Sequence, residues 1–497
     1  MDWKELRRTN STTNCFDYYA FLLGIWFHFI AFIINTAVIT IRWGTLRNMR
    51  KSGLFQSFVG VLATCAIALS TLGPSPASAE TVAAQTIPID FRFLGSGYGH
   101  GVGMSQIGAR GQALEGKSAM EILNYYYPGT SVTPYPDNDL IRVNVANLAS
   151  SVSLSILGQK GQLRLYQGDI PVGSEPEPFG IYSGDTTALF SNFAGSVIPL
   201  LSSPTTKFAP LNPEVAWTVR WDSLTTTVVL TNGTISNQYK YGQIVFKSIS
   251  NLVTSYLAVT NTLRLHDEYL WGLGEVPSSW PAAALEAQVI AARTYALNKV
   301  SKLRPECDCN IYSSTTDQNF VGYLKETEPI YGRKWKEAVN RTFVDADYSF
   351  VITLNGKIIN AFYFSSSGGF TQNIKDVWGS NFTYLEGVPD PWSLDPIINR
   401  RYAVWSRYLT QEIMSLAFGL PNVVSFRIDS RSQTGSVTSI TGISSNGSTS
   451  TLTGEIFRAR VKLPSTWLIN KAPILRFPLG KDLCPNEITR WTLQCFA

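Results

Sequence analysis

Glu275 stands between Gly274 and Val276-Pro277, with Leu270, Trp271, Leu273 and Trp280 close by in sequence. Proline at 277 disfavours helix at 276, so the glutamate is expected on a loop ahead of a helical segment. A carboxyl group in apolar, aromatic surroundings has a raised pKa and stays protonated nearer neutrality. That is the state a general acid needs to protonate a leaving oxygen. The same residue could instead cap the helix or pair with Arg293.

The second chemical candidate is Gly-Ser-Gly-Tyr-Gly-His-Gly-Val-Gly-Met, residues 95–104. If this strip is extended, one face is bare and the other carries Ser96, Tyr98, His100, Val102 and Met104. A chain keeps such a strip where something approaches its backbone closely. Two readings follow: a ligand groove carrying a lone imidazole, or a glycine-rich corner with a structural histidine. Ser365-Ser366-Ser367-Gly368-Gly369 lacks the Gly-x-Ser-x-Gly elbow and reads as hydroxyl contacts to a sugar or peptide. Asp317, Asp376 and Asp390 read as turn carboxylates.

These residues need elements to position them. Leu285, Val289, Ala292 and Ala296 lie on one helical face, with Ser279 and Pro281 as the start signal. Met104 to Leu114 and Trp335 to Val344 are expected helices. So is Ser118 to Tyr127, where Ser118 and Glu121 have capping-box spacing. Asn355-Gly356 marks a hairpin between Val351 to Leu354 and Lys357 to Phe364. Residues 131–265 carry short strand patterns such as Leu140 to Val145 and Gln243 to Lys247, separated by turn residues. The expected class is α+β: a mixed β-sheet core, a long packed helix after the catalytic loop, and a β-rich inserted unit.

Composition bounds the setting. Of 41 Lys/Arg and 36 Asp/Glu in 497 residues, seven and three fall in residues 1–79, so the rest is nearly neutral. No basic run interleaved with aromatics points to nucleic acid. Met49 to Ala79 has a basic start, an apolar core and Ala77-Ser78-Ala79, which is the pattern of a signal peptide. The stretch Tyr18 to Ile41 is either an amino-terminal transmembrane helix or part of an upstream extension, 1–48; the extension is preferred, because 49–79 is complete without it. The expected location is therefore exported: secreted or in the cell envelope, with membrane contact only through the leader. Beyond 79 the cysteines are Cys307, Cys309, Cys484 and Cys495. Cys307 and Cys309 are expected to be too close to pair with each other. Bonds to the tail, or Cys484 with Cys495, are favoured over a metal site, because no histidine lies near 307–309.

Taken together, four segments resemble the stage II sporulation protein D / LytB family of bacterial cell-wall proteins. They are Gly97 to Arg110 with Ile122 to Thr130; Tyr269 to Leu297; Ala361 to Gly369; and Leu452 to Phe457 with Ser465-Thr-Trp467. In the family's sporulation enzymes the glycine-rich motif comes last, whereas here it comes first, an order a circular permutation produces. The resulting division is 80–130 as the glycine-rich segment of a permuted catalytic domain, 131–265 as a β-rich insert or accessory domain, 266–470 as the main catalytic domain, and 471–497 as a tail. The resemblance implies a peptidoglycan lytic transglycosylase cutting between N-acetylmuramic acid and N-acetylglucosamine, with Glu275 as acid/base. Tyr98, His100, Ser105, Gln106, Arg293, Tyr295, Ser366 and Ser367 would bind or orient the glycan strand. The alternative is a non-enzymatic glycan-binding protein that modulates an amidase. The family's zinc set, a histidine and two cysteines, is not matched, so no cofactor is expected.

Overall fold

The computed structural model describes residues 86–205, 207–251, 253–469 and 474–476. The leader, its signal peptide and the cysteines at 484 and 495 lie outside them. Among the described residues no helix is long and apolar enough to cross a membrane. Helices and several sheets are mixed along the chain, so the class is α+β.

Residues 140–264, with 311–312 at one edge, build two β-sheets. One runs in the order 311–312, 140–149, 255–264, 243–250, 216–220, 162–167 and 180–183. The other runs 207–210, 196–202, 187–193, 151–156, 228–232 and 235–239. Alternate residues such as Val152, Leu154 and Ile156 turn inward, and Phe190 stacks on Phe246 with ring centres 3.6 Å apart. This is the period-two burial that the strand patterns anticipate.

The long helix is Ala282–Val300. Its expected face, Leu285, Val289, Ala292 and Ala296, packs into the core of these sheets. Its opposite side, Ala287, Ile290 and Ala291, enters a second core with Val102, Met104, Ile122 and Leu123. A face-only pattern underestimates this burial: the small alanines let neighbours close in on both sides. The second core also takes helices Gln106–Leu114 and Ala119–Tyr126, the latter with its capping box formed. Gly332–Arg341 is the shorter helix expected near 335–344. Asn355 and Gly356 both have positive φ, as a two-residue hairpin turn requires.

A third core joins the two ends of the described chain. Strand Asp90–Gly95 pairs with Trp405–Thr410 and with Ile474–Arg476. The amide of Ser96 donates to the Trp467 carbonyl, and that of Gly99 to the Pro464 carbonyl. The start of the glycine strip therefore lies directly against residues 464–468.

Two expectations are corrected. The strip is not a strand with a bare face, because Gly97, Gly99, Gly101 and Gly103 all have positive φ. A Cβ on Gly97 would meet the main chain of Ser366 and Ser367, and one on Gly103 the Phe362 carbonyl. What approaches the strip is the protein's own 362–372 segment. Cys307 and Cys309, in turn, are disulfide-bonded to each other. The residue between them, Asp308, turns left-handed with φ 49°, which brings the two Cα atoms to 5.1 Å. Lys247, at 2.8 Å, and Arg142 hold the Asp308 carboxylate.

Candidate functional site

Glu275 sits on a loop pinned to residues 319–321. The Gly274 amide donates to the Asn319 carbonyl, and the Val321 amide to that of Gly272. The Asn319 side chain returns a bond to the Gly274 carbonyl at 2.9 Å. These bonds fix the carboxyl group, which accepts from the Asn319 main-chain amide at 2.6 Å. The Tyr363 hydroxyl and the Gln106 side chain also bond to it. Burial raises the Glu275 pKa, and the bonds from Asn319, Tyr363 and Gln106 oppose the rise without cancelling it.

A polar chain continues behind the glutamate. Tyr269 donates to Gln318 Oε1 at 2.7 Å, and Gln318 Nε2 donates to the Tyr363 hydroxyl at 2.8 Å. Tyr295 donates to Asp317 at 2.8 Å. Burial pushes Asp317 up, but bonds from Arg304, the Tyr312 amide and Tyr295 outweigh it and hold its pKa below the usual value. One carboxyl group is thus biased towards the proton and the other against it.

The remaining sequence candidates divide. Gln106 touches Glu275, and Tyr295 stands one neighbour behind, its ring near those of Phe362 and Tyr363. Ser105 caps the Gln106–Leu114 helix and meets Ser393 Oγ at 3.0 Å. Ser367 donates to Asp390 at 2.7 Å, and Ser366 accepts from Asn399 at 2.8 Å. All three serines are buried, so they fasten the glycine strip and present no hydroxyl to a sugar. Arg293 is fully buried; it pairs with Asp137 at 2.9 Å and donates to Thr342, so neither the Glu275 pairing nor a substrate contact applies to it. Tyr98 is exposed and stands against Tyr402. Tyr363, Asn319 and Gln318 were missed. Strand alternation along Lys357 to Phe364 was the available signal for Tyr363, which it puts out of phase with Phe362 and Phe364.

His100 packs among Phe362, Phe364 and Trp378 and does not touch Glu275. Its Nδ1 accepts from the Val102 amide at 3.1 Å, and its ring also bonds to the Tyr363 main chain. Tyr363 therefore links the two, its main chain towards His100 and its hydroxyl towards Glu275. Burial, with Arg458 nearby, lowers the His100 pKa to about 4. Between the unfolded value near 6.5 and this folded value, the unfolded chain alone binds the proton. Stability should therefore fall as pH drops through that window, by on the order of 3 kcal/mol in all. Urea unfolding at pH 7 and pH 4.5 should show this slope flattened in His100→Gln; an unchanged slope would assign it elsewhere.

The zinc that the resemblance implies does not fit. Cys307 and Cys309 are bonded to each other, and no cluster of three or more His, Cys, Asp or Glu residues able to hold a metal occurs among the described residues.

Comparison with known proteins places this site in context. The stage II sporulation protein family model (SpoIID) matches residues 254–344, which include Glu275 and the long helix. The amidase enhancer of Bacillus subtilis (strain 168) is 34% identical over 116 residues, 23% of this chain and 14% of that protein. Stage II sporulation protein D of the same organism is 31% identical over 135 residues, 25% of this chain and 38% of that protein. The chain thus spans well under half the length of these relatives. No solved structure matches. The segment that holds Glu275 is thus similar to the stage II sporulation protein D and amidase enhancer proteins.

Proposed function

We propose that this protein is a peptidoglycan lytic transglycosylase, exported to the cell envelope. The observation that carries the reading is the Glu275 carboxyl, its pKa raised by burial on a pinned loop. Glu275 gives its proton to the glycosidic oxygen as the muramyl C1–O bond breaks. The resulting carboxylate then takes the proton of the muramyl 6-hydroxyl, whose oxygen bonds to C1 and closes a 1,6-anhydro ring. Glu275 ends protonated again, and no water is consumed. A glycosidase that uses water needs a second working carboxylate. Asp317, the other carboxylate of this network, is committed to Arg304 and Tyr295. The glycine strip lies against residues 464–468, which it would follow in the family's unpermuted order.

The test is product analysis on amidase-treated glycan strands: anhydromuramyl ends support this reading, and new reducing ends refute it. A second reading, modulation of an amidase without cleavage, is favoured by the similarity to an amidase enhancer. It predicts that the protein raises amidase turnover and yields no new glycan ends. Within the first reading, Tyr363→Phe removes one bond that lowers the Glu275 pKa. The alkaline limb of the pH–rate profile should then move to higher pH; a limb that stays in place or moves down would show that Tyr363 does not set it.

A further inference from the structure

Neither of the two cavities flanking the Gln106–Leu114 helix has Glu275 in its wall. One, of 680 Å³, begins at Pro277 and is lined by Trp280, Lys334, Glu337 and Arg341. The other, of 410 Å³, is lined by Ser365, Arg400, Arg401 and Tyr402. Arg110 lies in both walls. It is one helical turn from Gln106, on the same face, so its start is on the order of 5 Å along the helix from the residue touching Glu275.

The charge in these walls is one-sided. Arg341 pairs with Glu286 and Glu337 with Arg333. Among the described residues Arg110, Lys334, Arg400 and Arg401 have no carboxylate partner, although the Lys334 ammonium stands over the Tyr331 ring and the Arg401 guanidinium over that of Tyr402. The Arg110 guanidinium lies over Trp280, 5.5 Å from the ring centre, and one nitrogen donates to the Ile398 carbonyl. Its Nε is buried and has no hydrogen-bond partner among the described residues. A stacked, positioned guanidinium with a donor to spare suits a planar carboxylate, and an aromatic ring beside it suits the apolar face of a sugar.

We infer that this cleft is a carboxylate-recognition subsite, with Arg110 and Lys334 binding an acidic group carried by the glycan strand close to the bond being cut. The inference rests on the glycan-cleaving reading of Glu275 and adds the feature of the strand that is selected. Two sources share this chemistry: the lactyl carboxylate left on muramic acid when a stem peptide is removed, and the carboxylates of the stem peptide itself.

The experiment measures both affinity and cleavage. Strand affinity is measured by calorimetry on the full-length Glu275→Gln protein, with three probes: amidase-treated strands, the same strands with carboxylates converted to methylamides, and strands bearing stem peptides. Tightest binding of amidase-treated strands assigns the lactyl source; tightest binding of peptide-bearing strands assigns the peptide. In either case the preferred acidic strand should bind about tenfold more tightly than the methylamide form. Adding Arg110→Met and Lys334→Met should erase that ratio, and Lys334→Met alone, at an exposed position, should reduce it. Equal affinity for acidic and methylamide strands overturns the inference, as does a ratio that survives the double substitution. If the wild-type protein cleaves both strand types equally well, the subsite fails while the lytic reading stands. If it neither binds nor cleaves any strand, both fail.

Discussion

Glu275→Gln should lower the rate of anhydromuramyl end formation by about 10³-fold, the scale of a lost general acid that also serves as base. Glutamine keeps the size of the side chain and an oxygen for the Asn319 amide, which bonds to Glu275 at 2.6 Å. It cannot give up a proton in the first step or collect one in the second. The loss should appear in kcat with little change in KM, because the groups that would hold the strand are untouched. In the wild-type protein, activity should fall as pH rises through the Glu275 pKa, which burial places above the ordinary carboxyl value. The same shift fixes a stability effect in the same direction. A carboxyl whose folded pKa is raised holds a proton that the unfolded chain has lost, so the fold loses stability as pH rises from the unfolded to the folded pKa. Glu275→Gln removes that cost. The variant should melt at a higher temperature than the wild type at pH 7 and match it at pH 3.5. An inactive variant with no gain in melting temperature at pH 7 would mean that the buried carboxyl is not protonated more readily than a free one.

The raised pKa of Glu275 was legible in the sequence because its cause is local. Apolar neighbours and Pro277 are read directly, and they predict both the loop and the direction of the pKa shift. The helix that follows was legible by periodicity, although Ala287, Ile290 and Ala291 bury its other side as well. The partners of the carboxyl were harder to see. Asn319 acts through its main-chain amide, which no side-chain pattern reveals. Tyr363 sits in a short strand pairing in parallel with Met104–Ser105, a register set only in the folded chain. The resemblance offers the serines at 105, 366 and 367 as contacts to the glycan, and the hydroxyl-rich run before Gly368-Gly369 points the same way. In the fold they are buried around Asp390, Ser393 and Asn399. The 307–309 disulfide was missed because two-residue spacing looks too short until the intervening residue turns left-handed.

Gly103→Ala should destabilise the fold by at least about 3 kcal/mol, well above a typical substitution. Gly103 has φ 79°, and a Cβ there would lie 2.0 Å from the Phe362 carbonyl oxygen. That oxygen accepts from the Met104 amide at 3.1 Å and from the Tyr127 hydroxyl at 2.7 Å. Relieving the clash means pulling the strip away from 362–364, which breaks the Met104–Tyr363 pairing. Gln106 and Tyr363, the two side chains that reach Glu275 from this pairing, would then separate, so activity should be lost along with stability. Gly116→Ala is the control: its φ of 88° imposes the same backbone strain, but nothing lies within 4 Å of the added carbon. It should cost only about 1–2 kcal/mol and leave cleavage intact. Denaturant midpoints of the two variants separate backbone strain from close packing. If they proved equal, the strip's glycines would be needed only for their dihedral angles, and its bare side would be free for a ligand after all. A gap of more than 1 kcal/mol would fix the strip as a structural clasp whose task is to bring Gln106 to the acid.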